Sequence, residues 1–165
     1  MKRLLGTLLA IGVPLAGHCY EPKVNYQIHC MGCHLADGSG QVDRVPSVRE
    51  TLVPLSMMQD GREFVMRVPG VAQSPLSDED LAALLNWMAR NISRDPLPAA
   101  FRDYTVEEVA TRRRRPLAQL ARTRRDLIAR LSTAPGQSLK PPNRPINAAP
   151  AAGSGPLNVT AFPDR

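Results

Sequence analysis

Five consecutive residues, Cys30-Met31-Gly32-Cys33-His34, constrain this chain more than any other feature. The pattern C-x-x-C-H is the sequence form of a c-type haem attachment site. Two thiols three apart fall on one helical turn, where each can add to a haem vinyl group and form a thioether. The imidazole directly after the second thiol then lies under the iron as its proximal axial ligand, the usual role of His in haem proteins. Met31 and Gly32 need only be sterically tolerable. A chain that holds a flat apolar group at two covalent points has to wrap its fold around that group.

The C-x-x-C pair alone is ambiguous, because thiol–disulfide pairs, half zinc sites and disulfides share it. The added His, an export-like N-terminus and the lack of a second Cys pair or a His cluster among 3 Cys and 3 His favour haem. Composition agrees. Aromatic residues make up 4% of 165, few for a self-sufficient core, and a haem would supply the missing apolar mass.

The first residues read as a secretory signal over 1–18. Met1-Lys2-Arg3 is a basic start, Leu4 to Ala16 an apolar stretch, and Leu15-Ala16-Gly17 offers small residues for cleavage. The apolar run is shorter than the roughly 20 residues a membrane span needs. Export fits haem attachment and predicts a periplasmic protein. Cys19 lies near the cleavage point, but His18 stands where a lipid-attachment box wants Gly or Ala, so Cys19 is read as free or removed rather than lipidated.

Charge is uneven. Tyr20 to Pro96 carries seven Lys or Arg against ten Asp or Glu, whereas Leu97 to Arg165 carries twelve against five. The first half is acidic and the second basic. Arg112 to Arg115 and Arg122 to Arg125 form dense runs, read as an outward face. Export and the lack of interleaved aromatics argue against nucleic acid. A weak contact with a membrane surface or an acidic partner is the functional reading of that face.

Periodicity predicts helices throughout. Val24 to Met31 is a short first helix. Thr51 to Met58 is weakly helical and interrupted by Pro54. Gly61 to Val68 is a two-turn helix ended by Pro69-Gly70, and Val71 to Leu76 is loop. Ser77-Asp78-Glu79-Asp80 reads as a capped helix start, and Leu81, Leu84, Leu85, Met88 and Ile92 form one apolar stripe after it. Thr105-Val106-Glu107-Glu108 is a second capping box, Pro116 a break, and Leu117, Leu120, Leu127, Ile128 and Leu131 a last stripe that should pack back on the preceding helices.

Two segments resemble small class I c-type cytochromes. One runs from Asn25-Tyr26 through the Cys30–His34 motif to Leu35-Ala36-Asp37-Gly38-Ser39-Gly40. The other runs from Pro69-Gly70-Val71-Ala72-Gln73-Ser74-Pro75-Leu76-Ser77-Asp78 to Leu84-Leu85-Asn86-Trp87-Met88. The resemblance covers roughly Lys23 to Ile92. It implies an all-α, cytochrome c-like helical bundle around one covalently bound haem, whose first and last helices cross. Around it the sequence divides into 20–95 for that domain, 96–134 for an Arg-rich helical extension and 135–165 for a disordered Pro- and Ala-rich tail.

The resemblance also implies electron transfer, to or from a periplasmic dehydrogenase or another cytochrome, with no bond chemistry and no catalytic residue. It implies that a Pro carbonyl downstream accepts from the proximal His, and Pro46, twelve residues after His34, matches the spacing. In the family the sixth iron ligand is usually a Met in the loop before the last helix. Val71 to Leu76 contains none. Met66 is the nearest substitute, with Met58 or Met57 as alternatives and Met88 read as packing. His29 and His18 are read as surface residues. The departure leaves two further readings open: a haem subunit or sensor with an open sixth site, and a non-haem C-x-x-C redox or metal protein.

Overall fold

The computed structural model describes residues 20–133 apart from 42, 43 and 116. The expected signal segment, Cys19, the break at Pro116 and the tail lie outside the described residues. Within them are seven helices: α1 (Pro22–His29), α2 (Val48–Ser56), α3 (Gln59–Arg67), α4 (Pro69–Ala72), α5 (Asp78–Asn91), α6 (Val106–Arg112) and α7 (Leu120–Thr133). The only β-type pairing among the described residues is an isolated bridge between Gln41 and Val45. The fold is all-α and cytochrome c-like. None of these helices is long and apolar enough to cross a membrane.

Local chemistry sets most boundaries. Ser77 Oγ accepts from Asp80 N, and Thr105 Oγ1 accepts from Glu108 N, so both predicted caps form. The first turns behind them hold Asp78, Glu79 and Asp80 in α5, and Glu107 and Glu108 in α6, at the positive end of each helix dipole. α1 starts earlier than expected, because Pro22 fits the first helical turn, where its missing N–H is no loss. It ends at His29, and Cys30 becomes its C-cap.

Three expectations change. α2 begins at Val48 rather than Thr51 and runs through Pro54, which lacks the N–H that would reach the Glu50 carbonyl. The helix stops two residues later. Pro69-Gly70 does not simply end a helix; Pro69 opens the short α4, again as a first-turn proline. Leu117 precedes α7, which starts at Leu120.

α1 packs on α5, α2 on α3 and α5 on α6, while α7 lies across α2 and α3. Tyr26 of α1 meets Trp87 of α5 with ring centroids 5.8 Å apart, which marks the crossing of the first helix and α5. Gly61 lets α3 close on α2, since a Cβ there would come within 2.4 Å of the Leu55 carbonyl oxygen. The core runs on without a gap into the extension. Val109, Leu127 and Leu131 are as buried as Leu81, Leu84 and Leu85, and Leu117, Leu120 and Ile128 cover its edge. The last stripe therefore packs back as its spacing predicts.

The arginine runs do not all face outward. Arg112 pairs with Glu63 at 2.8 Å, and the Arg113 side chain is only 11% exposed. Arg114 and Arg122, at 75% and 73% exposure, do face solvent, as do Arg115 and Arg125, whereas Arg124 is half-buried.

Candidate functional site

The C-x-x-C-H stretch forms a tight turn continuing from α1. Cys30 N donates to the Tyr26 carbonyl, and both Cys33 N and His34 N donate to the Cys30 carbonyl, at 3.1 and 3.0 Å. Tyr26 ties α1 to the residue after the motif, its hydroxyl donating to the Leu35 carbonyl at 2.7 Å. Leu35 N donates to Ser39 O and Gly38 N to Leu35 O, closing the loop after the motif. Gly38 takes φ +80°, a left-handed conformation that favours glycine, and its carbonyl accepts from both Val48 N and Arg49 N. Asp37 adds a second tie, accepting from Ser39 and from Arg49, and these partners hold its carboxyl below the usual range. The loop after the motif is thereby fastened to the start of α2.

Cys30 is half-buried and Cys33 exposed, and they are not joined as a disulfide. Burial, reinforced by the neighbouring Cys33, pushes the Cys30 thiol up to about 11. Among the described residues no three His, Cys, Asp or Glu side chains gather as a metal site.

His34 is half-buried. Burial moves its imidazole below its ordinary pKa and the positive charge of Arg124 pushes the same way, while the Pro46 carbonyl opposes them. Its Nδ1 is buried and makes no well-formed hydrogen bond, so the Pro46 carbonyl is close enough to be felt without completing a bond. A neutral imidazole keeps a lone pair for a metal. A buried Nδ1 beside a carbonyl is the arrangement that orients a ligating His through its second nitrogen.

Beside the turn lies a cleft of about 290 Å³, lined by His29, Pro69, Gly70, Gln73, Ser74 and Pro75. His29, read from the sequence as a surface residue, forms the wall next to Cys30. Ile28, Met31 and Leu35 are large apolar side chains left 56%, 37% and 50% exposed around the motif. The orphaned Nδ1, the paired cysteines, the adjoining cleft and this apolar rim fit a covalently held haem.

The thioethers occupy different settings. Met66 is completely enclosed in the core, Met58 is half-buried as the N-cap of α3, and Met57 caps α2 with 36% exposure. Met88 is a core residue, as its stripe implies. Sequence reasoning missed two residues. Arg124, half-buried beside Phe64 of α3 at 6.0 Å from the ring centroid, acts electrostatically on His34. Arg113 reaches the loop that walls the cleft. Both stood out only as members of charge runs, which carry no sign of what each member faces.

The chain is thus an all-α, cytochrome c-like bundle whose first helix leads directly into the Cys30–His34 turn. In keeping with it, the chain is similar to Cytochrome c-552 of Thermus thermophilus, at 27% identity over 135 residues, covering 71% of this chain and 90% of that protein. No protein-family model matches the chain.

Proposed function

We propose that this protein is an electron carrier of the c-type cytochrome kind, with one haem bound through thioethers at Cys30 and Cys33 and with His34 as proximal ligand. The observation that carries the reading is the Cys30–His34 turn itself, two thiols and a half-buried imidazole on one turn at the edge of a cleft. The similarity to Cytochrome c-552 supports it.

A c-type haem supplies an iron that gains and loses one electron without bond chemistry in the protein. The chain's own residues hold and tune the site. With haem bound, the Pro46 carbonyl, already close enough to act on His34, would receive the second N–H and fix the ring. Tyr26 and Gly38 hold the turn on which the cysteines stand. The exposed apolar side chains Ile28, Met31 and Leu35 offer apolar surface around the motif for a flat apolar group to cover. Electrons pass to or from another redox protein, such as a periplasmic dehydrogenase or cytochrome, in an exported setting.

Expression with a competent haem-attachment system should give a protein whose intact mass includes one haem and whose pyridine haemochrome is that of two thioethers. Cys33→Ser should retain at most one. Recovery of apoprotein alone would overturn the proposal and return the non-haem reading.

The absence of Met between Val71 and Leu76 keeps a second reading open, a haem protein that binds a small ligand at the sixth site. Of the three candidate thioethers Met66 is fully buried, Met58 half-buried and Met57 exposed. A low-spin spectrum with a Met–iron band, lost in one of Met66→Ala, Met58→Ala or Met57→Ala, supports the carrier. A high-spin ferrous form that takes CO supports the ligand-binding protein.

A further inference from the structure

The loop between α4 and α5 is held from behind by a single guanidinium. Arg113 closes α6. Its Nη2 donates to the Ser74 carbonyl at 2.5 Å, its Nη1 to the Leu76 carbonyl at 2.9 Å and to Asp78 Oδ1 at 3.1 Å, and its Nε to the Ala72 carbonyl at 3.4 Å. A planar fork of five donors suits this task, and no other side chain could reach three alternate carbonyls at once. The Ala72, Ser74 and Leu76 carbonyls turn to Arg113, and Gln73, Ser74 and Pro75 of the same stretch line the cleft beside His29.

The base of the clamp is itself anchored. Arg112 pairs with Glu63, and the Arg115 carbonyl accepts from Arg67 Nε at 2.7 Å. Between α4 and α5 the loop also has its own bonds, Ser74 N to the Val71 carbonyl and Leu76 N to Ser74 Oγ, but the hold that reaches it from the extension is Arg113.

We propose that Arg113 is a positioning residue of the cleft: by holding the 72–76 loop from the extension side, it sets how readily small exogenous ligands reach the haem iron. This rests on the haem reading above. It gives the Arg-rich extension a part in the site, although that extension lies outside the resemblance to small cytochromes.

The test uses full-length holoprotein with Arg113→Gln and Arg113→Lys. Both should keep one covalent haem by intact mass. Hydrogen bonds to a charged donor are the stronger kind, and the Gln variant loses four of them. Its loop amides should therefore exchange faster, and CO association with the ferrous protein and imidazole association with the ferric protein should rise by about tenfold. Lys keeps the charge but cannot bridge three carbonyls, so it should behave like Gln; wild-type rates in Arg113→Lys would show that charge alone matters and overturn the clamp. Unchanged exchange and ligand rates in haem-bearing Arg113→Gln overturn it as well. If Arg113→Gln does not fold, Arg113→Lys carries the same comparison. Wild-type protein without covalent haem would instead bring down the haem reading, and this proposal with it.

Discussion

Arg62 and Glu108 meet through two parallel contacts, Nε to Oε1 at 2.6 Å and Nη2 to Oε2 at 2.7 Å, joining α3 to α6. Arg62 spends its other donors on the Arg102 and Asp103 carbonyls, and its guanidinium lies 4.0 Å from the centroid of the Tyr104 ring. The arginine side chain is 4% exposed and the glutamate 27%, so a buried guanidinium meets a half-buried carboxylate.

Glu108→Gln removes the charged acceptor of the buried guanidinium, which keeps its two carbonyl partners. Loss of a charged hydrogen-bond partner of a buried group costs about 1–3 kcal/mol, so the urea midpoint should fall. None of the partners of Arg62 or Glu108 given above belongs to the Cys30–His34 turn, so haem content per folded molecule should stay the same. A midpoint within error of wild type would show that the pair contributes nothing net.

Tyr104 gives an alkaline signature. Burial pushes its hydroxyl up to about 12, although a hydrogen bond with Ser56 at 2.5 Å and the charge of Arg62 pull the other way. Between about pH 10 and pH 12 the unfolded chain releases this proton while the folded chain keeps it. The unfolded state then binds fewer protons, and stability falls as pH rises through that window, by roughly 2–3 kcal/mol. The stability difference between wild type and Tyr104→Phe should therefore shrink on going from about pH 9 to about pH 11.5. A constant difference across that range counts against the shifted hydroxyl.

Gly38→Ala should be costly for two reasons. The residue sits at φ +80°, and a Cβ would lie 2.1 Å from Ile92 Cγ2. Strain and overpacking together predict a loss of about 2–4 kcal/mol. The same turn fastens the loop after His34 to α2, so thermal melting should drop and amide exchange at Val48 and Arg49 should rise. Wild-type protection at those two amides would mean the turn tolerates the methyl.

Salt dependence should reside in the outward arginines. Arg114, Arg122 and Arg125 face solvent, while Arg112 and Arg113 are committed to Glu63 and Asp78. Charge steers encounters more than it tightens complexes. Neutralising the three should slow reduction by an acidic redox partner at low salt, and the gap to wild type should narrow as the screening length shrinks to about 8 Å. Stopped-flow rates that ignore both salt and these substitutions would assign the arginines to solubility alone.

The sequence was informative where a structural signal is local. The Ser77 and Thr105 caps and the stripe from Leu81 to Ile92 are each written within a few neighbouring residues, and each formed. Prolines misled because their meaning depends on position: Pro69 and Pro22 start helices, and Pro54 is carried inside one. The arginines misled for a different reason. Arg112 and Arg113 look like any solvated charge run until Glu63 and the carbonyls of Ala72, Ser74 and Leu76 are brought to them across the chain.

The partner that neutralises Arg62 is 46 residues further along the chain. A polypeptide made from its N-terminus therefore presents Cys30 and Cys33 long before Glu108, Leu127 or Leu131 exists to complete the core. Until then Arg62 stays solvated, because Arg102, Asp103 and Tyr104, which enclose it with Glu108, are not yet made, and the apolar faces of the first helices lack their cover. The turn that carries the two thiols is complete in sequence before the bundle can close, and the basic segment is the part of the protein that closes it.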